Sequence, residues 1–225
     1  MVMGIGQVVF AVGRQFDVLE GMLVEIGEAI VVGPANKYYE VWIIPVVNPD
    51  GVVAFTRRNN RGVDLNRNYG YQWEEGTYSG EHPFSEPEVA AIRSLAMTRA
   101  FHHSLSIHSG ATNLGWVWNY QTLPSPDAEW MESLANVYLE STSQPDFWIT
   151  NGAEWFITYG DTNDWSYGML GILDYTLEVS SQKNPGSSQM AQALSDHLPA
   201  VLDTLAWPWW IQGEVVDEST GRGIP

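Results

Sequence analysis

The sequence predicts an α/β domain: a central mixed, mostly parallel twisted sheet with helices on both faces, followed by the truncated start of a β-sandwich. Three observations lead there. Short β-rich runs at 7–12 (QVVFAV), 41–47 (VWIIPVV) and 171–179 (GILDYTLEV) are separated by stretches with helical apolar spacing. The 225 residues are 44% hydrophobic, with 11 Trp, 10 Tyr and 7 Phe, enough to build one large aromatic core and to exclude a disordered chain. Cysteine is absent, so packing rather than a disulfide framework must hold the fold, and thiolate chemistry is excluded.

Taken in order, Gln7 to Val12 forms a buried strand closed by Gly13. Asp17 then caps a helix whose Val18, Leu19, Met22, Leu23 and Ile26 share one face. The strand Val41–Val47 ends in the turn Asn48-Pro49-Asp50-Gly51, and strand, helix, strand is the order of a βαβ unit. A polar, arginine-rich loop runs on to Asn68. Ser85-Glu86-Pro87-Glu88 opens a helix reaching about Thr98, with Ser85 as N-cap and Glu88 in the capping-box position. Ser104-Leu105-Ser106-Ile107-His108 is a strand that delivers an imidazole to the sheet edge. A helix from Pro126 to Leu139, an aromatic segment from 147 to 167, the strand 171–179 and a helix from Gln189 to Leu205 complete the domain at residue 209. Residues 210–225 read as strand and turn, the start of a second, β-type domain.

Charge narrows the partners. Twenty-seven acidic residues against 10 basic ones give a net charge of −17, which disfavours nucleic acid and anionic membrane surfaces. No apolar run reaches membrane-spanning length, so membrane insertion is not expected, and no leader is visible. The acidic surface suits an extracellular or periplasmic setting.

Against that background, four of the ten basic residues, Arg57, Arg58, Arg61 and Arg67, crowd into one loop with Asn66. Guanidinium forks beside an amide suit a carboxylate, because the planar fork accepts two oxygens at once; surface salt bridges are the plainer use of such a loop. His108, at a strand end before Ser109-Gly110, suits a metal ligand or an acid/base. Glu178 ends a strand among aromatic neighbours, where a raised pKa would let it act as a general base.

Five segments in order, Pro45–Gly51, Gly62–Asn68, Ser85–Glu88, Leu105–Gly110 and Thr176–Glu178, resemble the zinc carboxypeptidase (funnelin) family. Thr150-Asn151-Gly152-Ala153-Glu154-Trp155 and Asp164-Trp165-Ser166-Tyr167 resemble its regulatory, carboxypeptidase N/E-like branch, in which a transthyretin-like β-sandwich follows the catalytic domain. The resemblance implies a carboxypeptidase-like domain over 1–209, incomplete at its N-terminus, and a truncated sandwich from 210. It implies peptide or protein C-termini as partners, with zinc as cofactor if the site is competent and none otherwise. His108 would ligate the metal and Glu178 would be the general base. Asn66 and Arg67 would hold the C-terminal carboxylate, and Arg57, with Arg58 as second choice, would stabilise the oxyanion.

Two departures bear on activity. The family's H-x-x-E ligand pair falls, in the matching register, on Val12 and Gln15, neither a competent zinc ligand. An alternative register offers Asp17 and Glu20 as replacement ligands. Phe156 stands where the branch carries a substrate-contacting tyrosine, and Tyr159 is the nearest substitute. The expectation is a domain that recognises a peptide C-terminus with impaired catalysis; the alternative is an active zinc carboxypeptidase working through a non-standard site.

Overall fold

A computed structural model describes residues 7–13, 29–32 and 39–207, with side chains from residue 41 onward. The helix expected after Asp17, the positions Gln15, Asp17 and Glu20, and the β-type tail lie outside the described residues. Seven strands form one mixed sheet: β1 (Gln7–Gly13), β2 (Ala29–Val32), β3 (Tyr39–Ile44), β4 (His103–His108), β5 (Ala111–Trp116), β6 (Trp148–Asn151) and β7 (Leu173–Ser180), in the order β2-β3-β1-β4-β7-β5-β6. Pairings β4–β7 and β5–β6 are parallel, and the other four are antiparallel.

The first strands do not form the expected βαβ unit. β1 pairs antiparallel with β3, with Val8 opposite Ile44 and Gly13 opposite Tyr39. A short strand that the sequence reading passed over, β2, precedes β3 and reverses the chain beside it. β1 also runs antiparallel to β4, which sets Gln7 opposite Ile107 and Ala11 opposite His103. Val12 therefore lies at the end of the sheet away from His108, not beside it as the family register requires.

Alternation along the central strands sorts the two faces of the sheet. Leu105, Leu114, Trp116, Tyr175 and Leu177 point to one side and form the main core with α3 (Ala128–Ser141) and α6 (Ser187–Ala206), through Met131, Leu134, Tyr138, Ala193 and Ala200. On the opposite side, Trp42 and Ile44 of β3 pack with α2 (Pro87–Thr98) and α5 (Thr162–Leu170), through Val89, Ile92, Leu95 and Trp165. That second face is polar along the middle of the sheet. Ser104, Ser106 and His108 stand opposite Asp174, Thr176 and Glu178, residue for residue. The site grows from the open end of this polar row.

Two local signals take a different form from the expected one. Asn48 does not make an open turn; its side chain accepts the Gly51 N–H and caps a short helix, α1 (Pro49–Ala54). The N-cap of α2 is Glu86 rather than Ser85, with Pro87 in the first turn. Ser85 instead donates to the Glu86 carboxylate at 2.8 Å, because Glu86 is buried and needs partners more than the helix end does. No helix among the described residues is long and apolar enough to cross a membrane.

Candidate functional site

The parallel pairing of β4 and β7 sets His108 directly opposite Glu178, and β5 sets Asn113 on the other side of Glu178. These three side chains form one row at the sheet edge. A pocket opens above them, lined by His108, Glu178 and Asn113 and by Arg57, Asn66 and Arg67 from the arginine loop. Five positions predicted from sequence thus converge in one cleft.

The loop reaches the sheet because a single 3-10 turn, Leu65–Arg67, is capped by the Asp64 side chain. Asn68 fastens the next stretch of chain: its amide donates to Ser79 O, His82 O and Ser85 Oγ, and its oxygen accepts the Glu86 N–H at 3.1 Å. Gly160, in the left-handed region at φ +65°, completes the fit; a Cβ there would lie 2.8 Å from the Arg67 carbonyl oxygen. Its own carbonyl accepts the Tyr69 N–H at 2.9 Å.

The four arginines part company. Arg58 stacks over the Tyr78 ring at 4.3 Å, and Arg61 lies 3.7 Å from Glu86 and 3.8 Å from Glu81. Arg57 faces the pocket, paired to Asp64 at 2.6 Å. Arg67 also faces the pocket and is half-buried. It donates to the Asn66 carbonyl, and no acid pairs with it among the described residues. The Asn66 side-chain oxygen accepts the Thr162 N–H at 2.9 Å, so its NH2 end is the part not engaged by that bond.

Burial pushes His108 down to about 3, with Arg57 and Arg67 adding to the effect against Asp64, so the imidazole is neutral. Burial raises Glu178 to about 7, opposed by the Ala111 N–H, Arg57 and Lys183. A carboxyl there takes or gives a proton near neutrality.

Tyr159 does not join the site. The chain after α4 (Gly152–Trp155) is extended, so alternate side chains turn inward: Phe156 and Thr158 line the pocket and Tyr159 does not. Among the described residues the donors around His108 do not make a zinc site. Beside the His108 imidazole the pocket offers the carboxylates of Glu178 and Asp161, and no group of three His, Cys, Asp or Glu placed to hold a metal ion occurs among the described residues.

Sequence reading missed the neutral amides of the pocket, Asn113, Asn119 and Asn163, and Thr176 beside them. One signal was there: asparagine is uncommon inside a strand, and Asn113 sits in the middle of Thr112-Asn113-Leu114-Gly115. Asp161 of the pocket lining belongs to a buried acid group that continues behind it with Asp164 and Asp174. Asp164 accepts the N–H groups of Asn119 and Tyr120, and so holds the pocket wall.

Burial raises Asp174 from 3.8 to about 7, with the Ser104 hydroxyl pulling it back and Asp161 pushing it further up. The native state therefore keeps a proton that the unfolded chain releases near pH 4, and stability falls as pH rises from about 4 to about 7. Asp174→Asn fixes the neutral form. Its urea midpoint is expected to decline less across that window than the wild type's; parallel decline would contradict the assignment.

An α/β sheet carrying an imidazole, a buried carboxyl and an arginine-lined pocket at its strand ends defines the class of protein. The zinc carboxypeptidase family model matches residues 19–200, and the chain belongs to that family. Carboxypeptidase SOL1 of Arabidopsis thaliana is 28% identical, over 81% of this chain and 40% of its own length. Carboxypeptidase E of Caenorhabditis elegans is 26% identical, over 82% of this chain and 51% of its own. The chain thus spans about half, or less, of these relatives. Bovine thrombin-activatable fibrinolysis inhibitor, solved with a tick carboxypeptidase inhibitor, shares the fold at a TM-score of 0.64 and 23% identity, over 73% of this chain and 68% of its own.

Proposed function

We propose that this domain recognises the C-terminal carboxylate of peptides or protein chains and does not cleave them. The observation that carries the reading is Arg67: a half-buried guanidinium in a pocket, without an acid partner among the described residues, in a chain of net charge −17. Acids are abundant, so an arginine left unpaired in a pocket is one suited to an anion from outside. Asn66 adds an amide donor, and Arg57 adds a second cation to the same cleft.

The chemistry of the donor set supports the second half. His108 has no partner imidazole in the cleft, and β1 carries Val12 away from it. The neutral imidazole and the carboxyl of Glu178 remain as hydrogen-bonding groups for the last peptide unit.

The test uses one peptide made as the free acid and as the C-terminal amide, with zinc present and mass spectrometry after incubation. The free acid is expected to bind at least about 30-fold tighter, reflecting the charge-assisted bonds, and to keep its mass. Equal binding overturns recognition. Chelator-sensitive release of the last residue overturns the binding-only part and favours a zinc carboxypeptidase acting through ligands beyond the described residues.

A further inference from the structure

The carboxylate end of the cleft is cationic, but its far wall is not. Asn113, Asn119, Asn163 and Thr176 line it, and two of these amides are left short of partners. Asn113 is fully buried, and neither its Nδ2 nor its Oδ1 has a hydrogen-bond partner. Asn163, 1% exposed, has its oxygen filled by the Thr176 hydroxyl at 2.6 Å and the Asn119 amide at 3.2 Å, while its Nδ2 has none. A buried amide without partners costs free energy on the order of 1–3 kcal/mol, so a site that keeps two of them is arranged for an incoming polar group.

We propose that this wall selects ligands whose last residue carries a side-chain carboxamide, glutamine or asparagine. The proposal rests on the reading of the cleft as a C-terminal carboxylate site and adds which chain ends it takes. Donor and acceptor matching excludes the alternatives. An apolar side chain leaves every one of these groups unsatisfied. A carboxylate has no donor for the Asn113 oxygen, and an ammonium or guanidinium has no acceptor for the two NH2 groups. Asp161, the acid on this side of the cleft, already accepts the Asp164 N–H and the Thr158 hydroxyl, one on each oxygen. A carboxamide supplies one acceptor and two donors. Asn113 presents one of each whichever way its amide is turned. Space is available beside it: Gly115, next on the same face of β5, has no side chain, and a Cβ there would meet nothing nearer than the Thr150 carbonyl at 3.8 Å.

The experiment is a calorimetric titration of the full chain with four free-acid hexapeptides that differ only in a terminal Gln, Leu, Lys or Glu, plus the amidated Gln peptide. The Gln acid is expected to bind at least about tenfold tighter than the others, the scale of discrimination from unpaired buried polar groups. Asn113→Leu, which removes an unpartnered amide at nearly constant shape, is expected to fold and to favour the Leu peptide. Asn163→Asp keeps the bonds from Thr176 and Asn119 and turns the remaining donor into an acceptor, so it is expected to favour Lys. Selectivity is overturned if Leu, Lys or Glu binds as tightly as Gln while the acid still outbinds the amide, or if neither variant shifts the order. Equal binding of acid and amide instead overturns the carboxylate reading beneath it.

Discussion

Arg67→Ala is expected to abolish the preference for a free C-terminus. The guanidinium supplies the one cation of the cleft with no internal acid among the described residues, so its loss removes the paired charge-assisted bonds, about 2–3 kcal/mol or roughly 30- to 150-fold in affinity. Arg67→Lys is expected to recover part of that loss, because an ammonium keeps the charge but not the planar fork. Arg58→Ala is the matched control: Arg58 lies over Tyr78 rather than in the cleft, so its removal changes binding little. Paired acid and amide peptides titrated by fluorescence anisotropy read all three. A free-acid preference that survives Arg67→Ala would show that the carboxylate is held elsewhere.

The second large effect falls on stability. Asn68→Ala is expected to cost about 1–3 kcal/mol by urea unfolding, because it leaves the buried Glu86 N–H without its acceptor and removes the amide's bonds to Ser79 O, His82 O and Ser85 Oγ. The neighbouring Asn59→Ala strips a donor from the buried Glu86 carboxylate and an acceptor from the N–H groups of Arg61 and Val63, and is expected to act in the same direction. These two asparagines tie the arginine loop to the start of α2. A loss from Asn68→Ala below about 1 kcal/mol would mean that water replaces the amide and that the loop is not fixed through it.

The chemistry-bearing row was legible because it depends on local patterning. Alternation in Ser104–His108 and in Asp174–Glu178 puts His108 and Glu178 on one face, and a strand end beside glycine signals an open edge. The arginine cluster was legible from charge alone. Its division into two pocket residues, one stacked and one paired to Glu86, was not, because that depends on Tyr78 and Glu86 arriving from distant segments. Strand direction was also hidden: periodicity shows that β1 is a strand but carries no sign of which way it runs beside β3 and β4. β5 escaped notice because Asn113 and Gly115 break the expected composition of a strand, and those two residues form and open the amide wall. Tyr159 was misplaced for a simpler reason, since one residue of offset in an extended segment turns a side chain from the pocket to the other side.

The central claim, that the Asn66–Arg67 turn holds a chain terminus, is tested most directly by a crystal structure with a short free-acid peptide bound. The account predicts the terminal carboxylate within hydrogen-bonding distance of the Arg67 guanidinium and the Asn66 amide, with the last side chain directed toward Asn113 and Asn163. A carboxylate bound at Arg58 or Arg61, or a peptide whose terminus lies outside the cleft, would contradict it.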